Sequence, residues 1–438
     1  MYYKNNCIEL EEIVKNSGKV EFHYSVSDGV SQFFSNNPFW IEYPENIESV
    51  SEAILAIPFV CNVLPLVWLS DLELIIPELD EDFYNCVPNV KKGYIDMYPN
   101  VEFGGKITVR RLVRNVPEHA GRSATLFSGG LDSWCTLVRH IDETPDLISI
   151  WGSDIKVDNI EGWKVLYRKL EDSSKKIDLN LIPIKSTFRQ FIVEKRLDEQ
   201  FYPLLQDGWW HGVQHGIGLI AHTAPINFLR GVTVQYIAAS FSPGDGNLTC
   251  ASWPSIDNNV RFASCRVSHD AFITRQEKIK ILVEYCKRTE KKADLHVCWQ
   301  TDTGENCCRC EKCCRTIIGL LVEGVDPIDY GFNGKRINYQ YISDYILYYL
   351  RFDQVSKAYW RQIQSAYQEN KNVLSKTVLR NAGWLEQLDV NRTNEIYIPI
   401  IVRLRHEKGI RGILSEFKFY QNLRKLKSIF NMSFRNNQ

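Results

Sequence analysis

Two groups of residues in this chain have the types and spacing to do chemistry. The first is Ser128-Gly129-Gly130-Leu131-Asp132-Ser133. It follows a short apolar run, residues 124–127, and opens a stretch over residues 134–141 that reads as a helix. Glycines at 129 and 130 let backbone N–H groups turn toward a ligand with no Cβ in the way. A helix start adds the positive end of its dipole. Ser128 and Ser133 contribute hydroxyl donors, so the arrangement is that of a phosphate-binding loop. Asp132 repels bare phosphate, which points its carboxylate to a metal ion or to helix capping. A Walker loop is excluded because the Gly-Lys-Ser/Thr ending is missing, and Gly334-Lys335 is followed by Arg336.

The second group is Cys298, Cys307, Cys310 and Cys313. Two successive C-x-x-C steps form a knuckle, and the fourth thiol lies nine positions upstream. Thiolates at this spacing close a tetrahedral Zn²⁺ site with no open position, a structural rather than a catalytic metal. The competing reading is a set of reduced buried cysteines or disulfides. Cys308 and Cys314 are left over as packing residues or free thiols.

The loop resembles the pyrophosphate loop of the N-type ATP pyrophosphatases. Loop and knuckle together, in this order, resemble 7-cyano-7-deazaguanine synthase, a family with a Cys-x8-Cys-x2-Cys-x2-Cys zinc site. The resemblance covers residues 122–324. It departs at Cys308, where the family usually has Gly, and in the flanking regions, which have no counterpart in the compact synthase. It implies an adenine-nucleotide α-hydrolase-like fold and ATP-dependent ligase chemistry. The 128–133 loop would hold ATP with Mg²⁺, a substrate carboxylate or carbonyl oxygen would attack the α-phosphate, and a nucleophile would displace AMP. Asp132, Ser133 and Lys278 take the catalytic roles. Ser128, Gly129, Gly130, Asp132, Ser133, Ser240 and Arg275 bind the nucleotide. In the synthase the nucleophile is ammonia and the product a nitrile. Thiolases of tRNA share the loop but use sulfur, and here the thiols are claimed by zinc. The acceptor is a small-molecule or conjugated carboxylate, with a cell-wall or surface-glycan precursor as an alternative. Synthase-like chains with extra domains also resemble components of anti-phage operons, which widens the acceptor to a protein or nucleic acid. From another class comes a nucleotide-sensing or scaffolding module that has lost turnover. The extra regions favour it and the intact loop speaks against it.

The elements that must position these residues follow from length and pattern. A chain of 438 residues makes two or three domains. With a formal net charge of -1, no global field favours nucleic acid or acidic membranes. Thirteen cysteines and a start without an apolar signal core imply a reducing, cytoplasmic setting. The longest apolar stretch, residues 53–69, contains Pro58, Asn62 and Pro65 and is too short for a transmembrane segment. Residues 1–117 read as an α+β region. Strands fall at 19–25, 39–43 and 106–113, a helix at 47–60 ended by Pro58 or Pro65, and an apolar segment at 67–76. This region and the C-terminal one are candidate docking surfaces for a protein partner.

Residues 118–330 alternate strand and helix, which predicts an α/β parallel sheet with helices on both faces. Strands are expected at 147–151, 179–184, 233–240 and 294–299, and helices at 160–173 and 273–287. Ligands of such sheets lie beyond the carboxyl ends of the strands, where the 128–133 loop falls. His211 and His215 are spaced to share a helix face, but no Glu follows His211, so a catalytic zinc there is not expected. The reading is a helix packed on the sheet, with His222 also on it and His215 near substrate. The loop after residue 240 offers Ser240 and Asp245. Arg275 and Lys278 oppose the dipole of a helix start, which a pyrophosphate would compensate; the alternative is a solvated face. Arg309, Lys312 and Arg315 meet an anion or balance the zinc–thiolate charge. Residues 331–438 are helical, with amphipathic stretches at 341–352 and 357–368. The end, residues 401–438, is basic and amphipathic, fit for packing on the domain, an anionic surface or a partner.

Overall fold

The computed structural model describes residues 6–242 and 248–392, and residue 402. Asp245 and nearly all of the basic terminal segment therefore lie outside the described residues. Among the described residues eleven strands make one sheet: β1 Cys7–Asn16, β2 Lys19–Val26, β3 Phe39–Glu42, β4 Glu73–Asp80, β5 Lys106–Val113, β6 Arg122–Leu126, β7 Asp146–Trp151, β8 Leu181–Ser186, β9 Val232–Ala238, β10 Arg261–Phe262 and β11 Cys265–Asp270. Their order is β10-β11-β9-β6-β7-β8-β3-β2-β1-β4-β5. The run β11-β9-β6-β7-β8 is parallel throughout. β3 joins it antiparallel on β8, so strands from the first 117 residues extend the same sheet. The protein is thus α/β, with a large mixed, mostly parallel sheet.

Within the parallel run the chain moves from β6 outward to β7 and β8, then returns to lay β9 on the other side of β6. The strand order reverses at β6, and such a reversal opens a crevice at the carboxyl ends of the strands. Successive strand residues point to opposite faces. Leu147 accordingly packs into one core and Ile148 into the other. One face is covered by helices Ile57–Leu69, His215–His222 and Ala224–Arg230. The other is covered by Leu131–Arg139, Ile160–Ile177, Arg275–Thr289 and Glu311–Val322, with Gln354–Asn370 packed outside the last two.

Three expectations are corrected. The helix expected at 47–60 begins at Glu52, breaks near Ala56 and runs on from Ile57 to Leu69. Pro58 sits in the first turn, where no intrahelical donor is needed, and Pro65 is carried inside. An interior proline costs ~3 kcal/mol. Burying Leu64, Leu66, Val67 and Trp68 returns ~1.5–3 kcal/mol each, so burial wins. The apolar segment 67–76 is divided at Asp71, whose φ of 51° turns the chain from that helix into β4. No strand forms at 294–299. The backbone there bonds elsewhere: Leu295 N–H to the Tyr330 carbonyl, and Val297 and Cys298 N–H to Asn306 Oδ1. Among the described residues no helix is long and apolar enough to cross a membrane.

Candidate functional site

β6 delivers the 128–133 loop to the crevice. The strand is nearly fully buried, and Phe127 N–H still pairs with the Ile148 carbonyl at 2.7 Å, so the chain leaves the sheet only at Ser128. Gly129 then takes φ +74°, and a Cβ there would stand 2.7 Å from Leu170 Cδ2. The backbone angle favours glycine, and a Cβ would in addition force the end of the Leu170 side chain to shift. Gly130 occupies the N-cap position of helix Leu131–Arg139 with no side-chain cap. Ser133 Oγ donates to the Gly130 carbonyl at 3.0 Å, and Ser128 Oγ lies 3.4 Å from Ser133 Oγ. Ser128, Gly130 and Ser133 line a cavity of ≈ 190 Å³, together with Ser240, His215, His296, Asp154, Trp163 and Lys312.

Asp132 does not take the helix-capping role that the sequence offered it, and it lines the cavity with the loop. Its carboxylate takes Lys278 Nζ at 2.8 Å on Oδ1 and Arg275 Nη1 at 3.2 Å on Oδ2. Burial works against its ionisation, but Lys278, Arg275 and Lys312 outweigh that and hold the carboxyl well below the usual range. Lys278 also donates to the Ala239 carbonyl at 2.5 Å, so its ammonium is committed. Arg275 lies under Tyr359 of helix Gln354–Asn370, 5.8 Å from the ring centre, and keeps Nε and Nη2 without a partner among the described residues. The face is therefore not solvated: Arg275 and Lys278 are buried against the Asp132 carboxylate. A capping box of Thr274 and Glu277 further offsets the cations at that helix start. Ser240 is at the cavity, and its carbonyl accepts from Tyr359 Oη at 3.1 Å.

The three histidines separate. Residues Trp210–Gln214 form a π-turn before the helix His215–His222, which breaks the shared face expected of His211 and His215. His211 is exposed on Asp207 at 2.8 Å, whose hydrogen bond raises its pKa to about 10. His222 is buried between the Gly218 carbonyl at 2.6 Å and Ser186 Oγ at 2.9 Å, away from the cavity. His215 alone of the three lines it, with Nδ1 unpartnered and its pKa pushed down by burial to about 4. Sequence reasoning did not single out His296 or Asp154. His296 is in the irregular segment, donates its N–H to the Gly129 carbonyl at 2.8 Å, and keeps Nε2 unpartnered. Its signal was its place two residues before Cys298. For Asp154 it was a loop leaving the carboxyl end of β7.

The four cysteines come together with their sulfurs all within 4.8 Å of one another. Cys307 and Cys313 Sγ are 3.9 Å apart. A tetrahedron with Zn–S of ~2.3 Å has edges of about 3.8 Å, so the set fits a metal ion such as zinc. Backbone donors point at the sulfurs, Cys310 N–H to Cys307 Sγ at 3.2 Å and Cys313 N–H to Cys310 Sγ at 3.4 Å. Thiols packed this closely oppose one another's ionisation. Hydrogen bonds from Cys310 and Cys313 pull the Cys298 pKa down, and the same contacts push theirs up. A divalent cation relieves that conflict. Cys308 takes φ +57°, the left-handed turn that glycine adopts most readily, with Sγ turned to the Asn306 carbonyl and away from the cluster. Of the knuckle's basic residues only Lys312 reaches the cavity, where burial and then Arg275 lower its pKa. Arg309 covers Tyr341, and Arg315 pairs with Glu311 at 2.8 Å.

No protein-family model, curated protein or solved structure matches the chain.

Proposed function

We propose that the chain is an ATP-dependent, AMP-forming enzyme of the pyrophosphate-loop kind, with an adenine-nucleotide α-hydrolase-like central sheet. The observation that carries this reading is a glycine turn feeding a helix start, set where the strand order reverses and facing a cavity lined by Lys312, whose ammonium has no partner among the described residues. The Ser128 hydroxyl and the N–H groups of the loop and helix start would donate to the β- and γ-phosphates, and Ser133 Oγ would join them on turning from the Gly130 carbonyl. Lys312 neutralises them from the opposite wall, and Asp132 holds Lys278 and Arg275 behind the loop. Mg²⁺, when bound, would shield the phosphate charge. Catalysis is then positioning and charge neutralisation. At ≈ 190 Å³ the cavity is below the ~300–1,000 Å³ of whole-ligand pockets, so it takes the phosphate end and leaves adenosine toward the rim near Trp299. His215 and His296 border the space where an acceptor carboxylate or carbonyl oxygen would meet the α-phosphate. That attack would break the α–β phosphoanhydride bond and release pyrophosphate with its Mg²⁺, leaving an adenylate from which a nucleophile would then displace AMP, as the resemblance to 7-cyano-7-deazaguanine synthase implies.

One observation favours a second reading, a nucleotide-binding module without turnover: Asp132 and Lys278 already satisfy each other. Incubation with α-labelled ATP, Mg²⁺ and a panel of carboxylates, 7-carboxy-7-deazaguanine among them, separates the two. Labelled AMP supports the enzyme, and ATP binding without AMP supports the module. Failure to bind ATP overturns both.

A further inference from the structure

The cavity's unpaired cation hangs from the cysteine knuckle. Lys312 lies between Cys310 and Cys313 in the first turn of helix Glu311–Val322, whose start is capped by Cys310 Sγ. Among the described residues no hydrogen bond or ion pair holds its ammonium, in contrast to Lys278 and Arg275. The same thiol cluster closes the segment on the other side. Cys298 follows His296 by two residues, and the His296 N–H holds the Gly129 carbonyl at 2.8 Å. The turn at Gly129 and the cation lining the same cavity are thus both anchored to one set of four sulfurs. Every cysteine here is a free thiol, so no disulfide shares that task.

We infer that metal occupancy of the knuckle and anion binding at the 128–133 loop are thermodynamically coupled, through the mounting of Lys312 and the His296–Gly129 hydrogen bond. This rests on the reading of the cavity as a phosphate site. An ion that gathers the four sulfurs restricts where Lys312 and His296 can go, so the loop meets its ligand pre-organised. Coupling is reciprocal: a polyphosphate that engages Lys312 must tighten the knuckle's hold on its metal by the same factor. Lys312 is here a positioning and binding residue whose geometry is set by its neighbours in sequence.

The test uses the full chain and inorganic pyrophosphate with excess Mg²⁺. Pyrophosphate affinity is measured by calorimetry on zinc-loaded and chelator-stripped protein. Zinc release to a chromogenic chelator is timed with and without pyrophosphate. Stripping is expected to weaken pyrophosphate by about 5–150-fold, and pyrophosphate to slow zinc release. Lys312→Met is expected to keep its zinc yet lose the effect of pyrophosphate on release. That second arm stays informative even where stripped protein unfolds, because it runs on loaded protein. Equal affinities with unaltered release, or an undiminished effect in Lys312→Met, overturn the inference while leaving the phosphate site standing. No binding to zinc-loaded protein removes the phosphate site and the inference with it.

Discussion

Asp132→Asn removes the one negative charge between two buried cations. Lys278 Nζ stands 2.8 Å from Oδ1 and Arg275 Nη1 3.2 Å from Oδ2, and the two cationic side chains are 4 % and 5 % exposed. The asparagine keeps the shape and one acceptor but not the charge. Beyond that acceptor, among the described residues Lys278 retains the Ala239 carbonyl and Arg275 the face of Tyr359. Breaking a buried ion pair from one side typically costs ~3–5 kcal/mol, because the surviving charge is left without compensation. The variant should therefore lose about 3–5 kcal/mol of stability, read from urea unfolding followed by tryptophan fluorescence. Lys278→Met should cost less, since Arg275 still neutralises Asp132. The double variant Asp132→Asn/Lys278→Met should cost less than the sum of the singles, the sign of a direct coupling. If Asp132→Asn unfolds within ~0.5 kcal/mol of the parent, as an ordinary surface change would, the buried charge cluster is not formed in solution. Loss of activity in an Asp132 variant therefore has to be read beside its stability.

Further outcomes follow from single features. Gly129→Ala places a Cβ at φ +74° and 2.7 Å from Leu170 Cδ2; it should cost at least ~1–2 kcal/mol in chemical unfolding and weaken pyrophosphate in calorimetry. His222 has its pKa pushed down by burial from 6.5 to about 4, so the unfolded chain takes up that proton first on acidification. Stability should fall as the pH drops from about 6.5 to about 4, by up to ~3 kcal/mol from this group, and His222→Gln should flatten that part of the curve. Metal analysis should find about one zinc per chain, lost in Cys310→Ser and kept in Cys308→Ser, whose sulfur points away from the cluster. Zinc lost from both variants, or from neither, would contradict the ligand set.

What could be read from the sequence was local. The strand–glycine–helix setting of residues 128–133 and the meeting of Cys298, Cys307, Cys310 and Cys313 are written in short spacings, and short spacings constrain geometry directly. The parallel strands β6, β7, β8 and β9 announce themselves as apolar runs between helix-period stretches. The illegible parts depend on distant partners. The pairing of β3 with β8, which merges two regions into one sheet, joins residues more than 140 positions apart. Lys278 and Lys312 look alike in sequence. Only the fold shows that the first is spent on Asp132 and the second faces the cavity. The segment 294–299 has a strand's alternation, yet its N–H groups are drawn off by Tyr330, Gly129 and Asn306. Pro65 reads as a helix end because the burial that outweighs it comes from tertiary packing.

Calorimetric titration of Mg·ATP into the zinc-loaded chain of 438 residues bears most directly on the grip of the 128–133 loop on a nucleotide's phosphates. One site per chain is expected, strongly weakened by Gly129→Ala in protein that still carries its zinc. Absence of binding, or binding that Gly129→Ala leaves untouched, would contradict it.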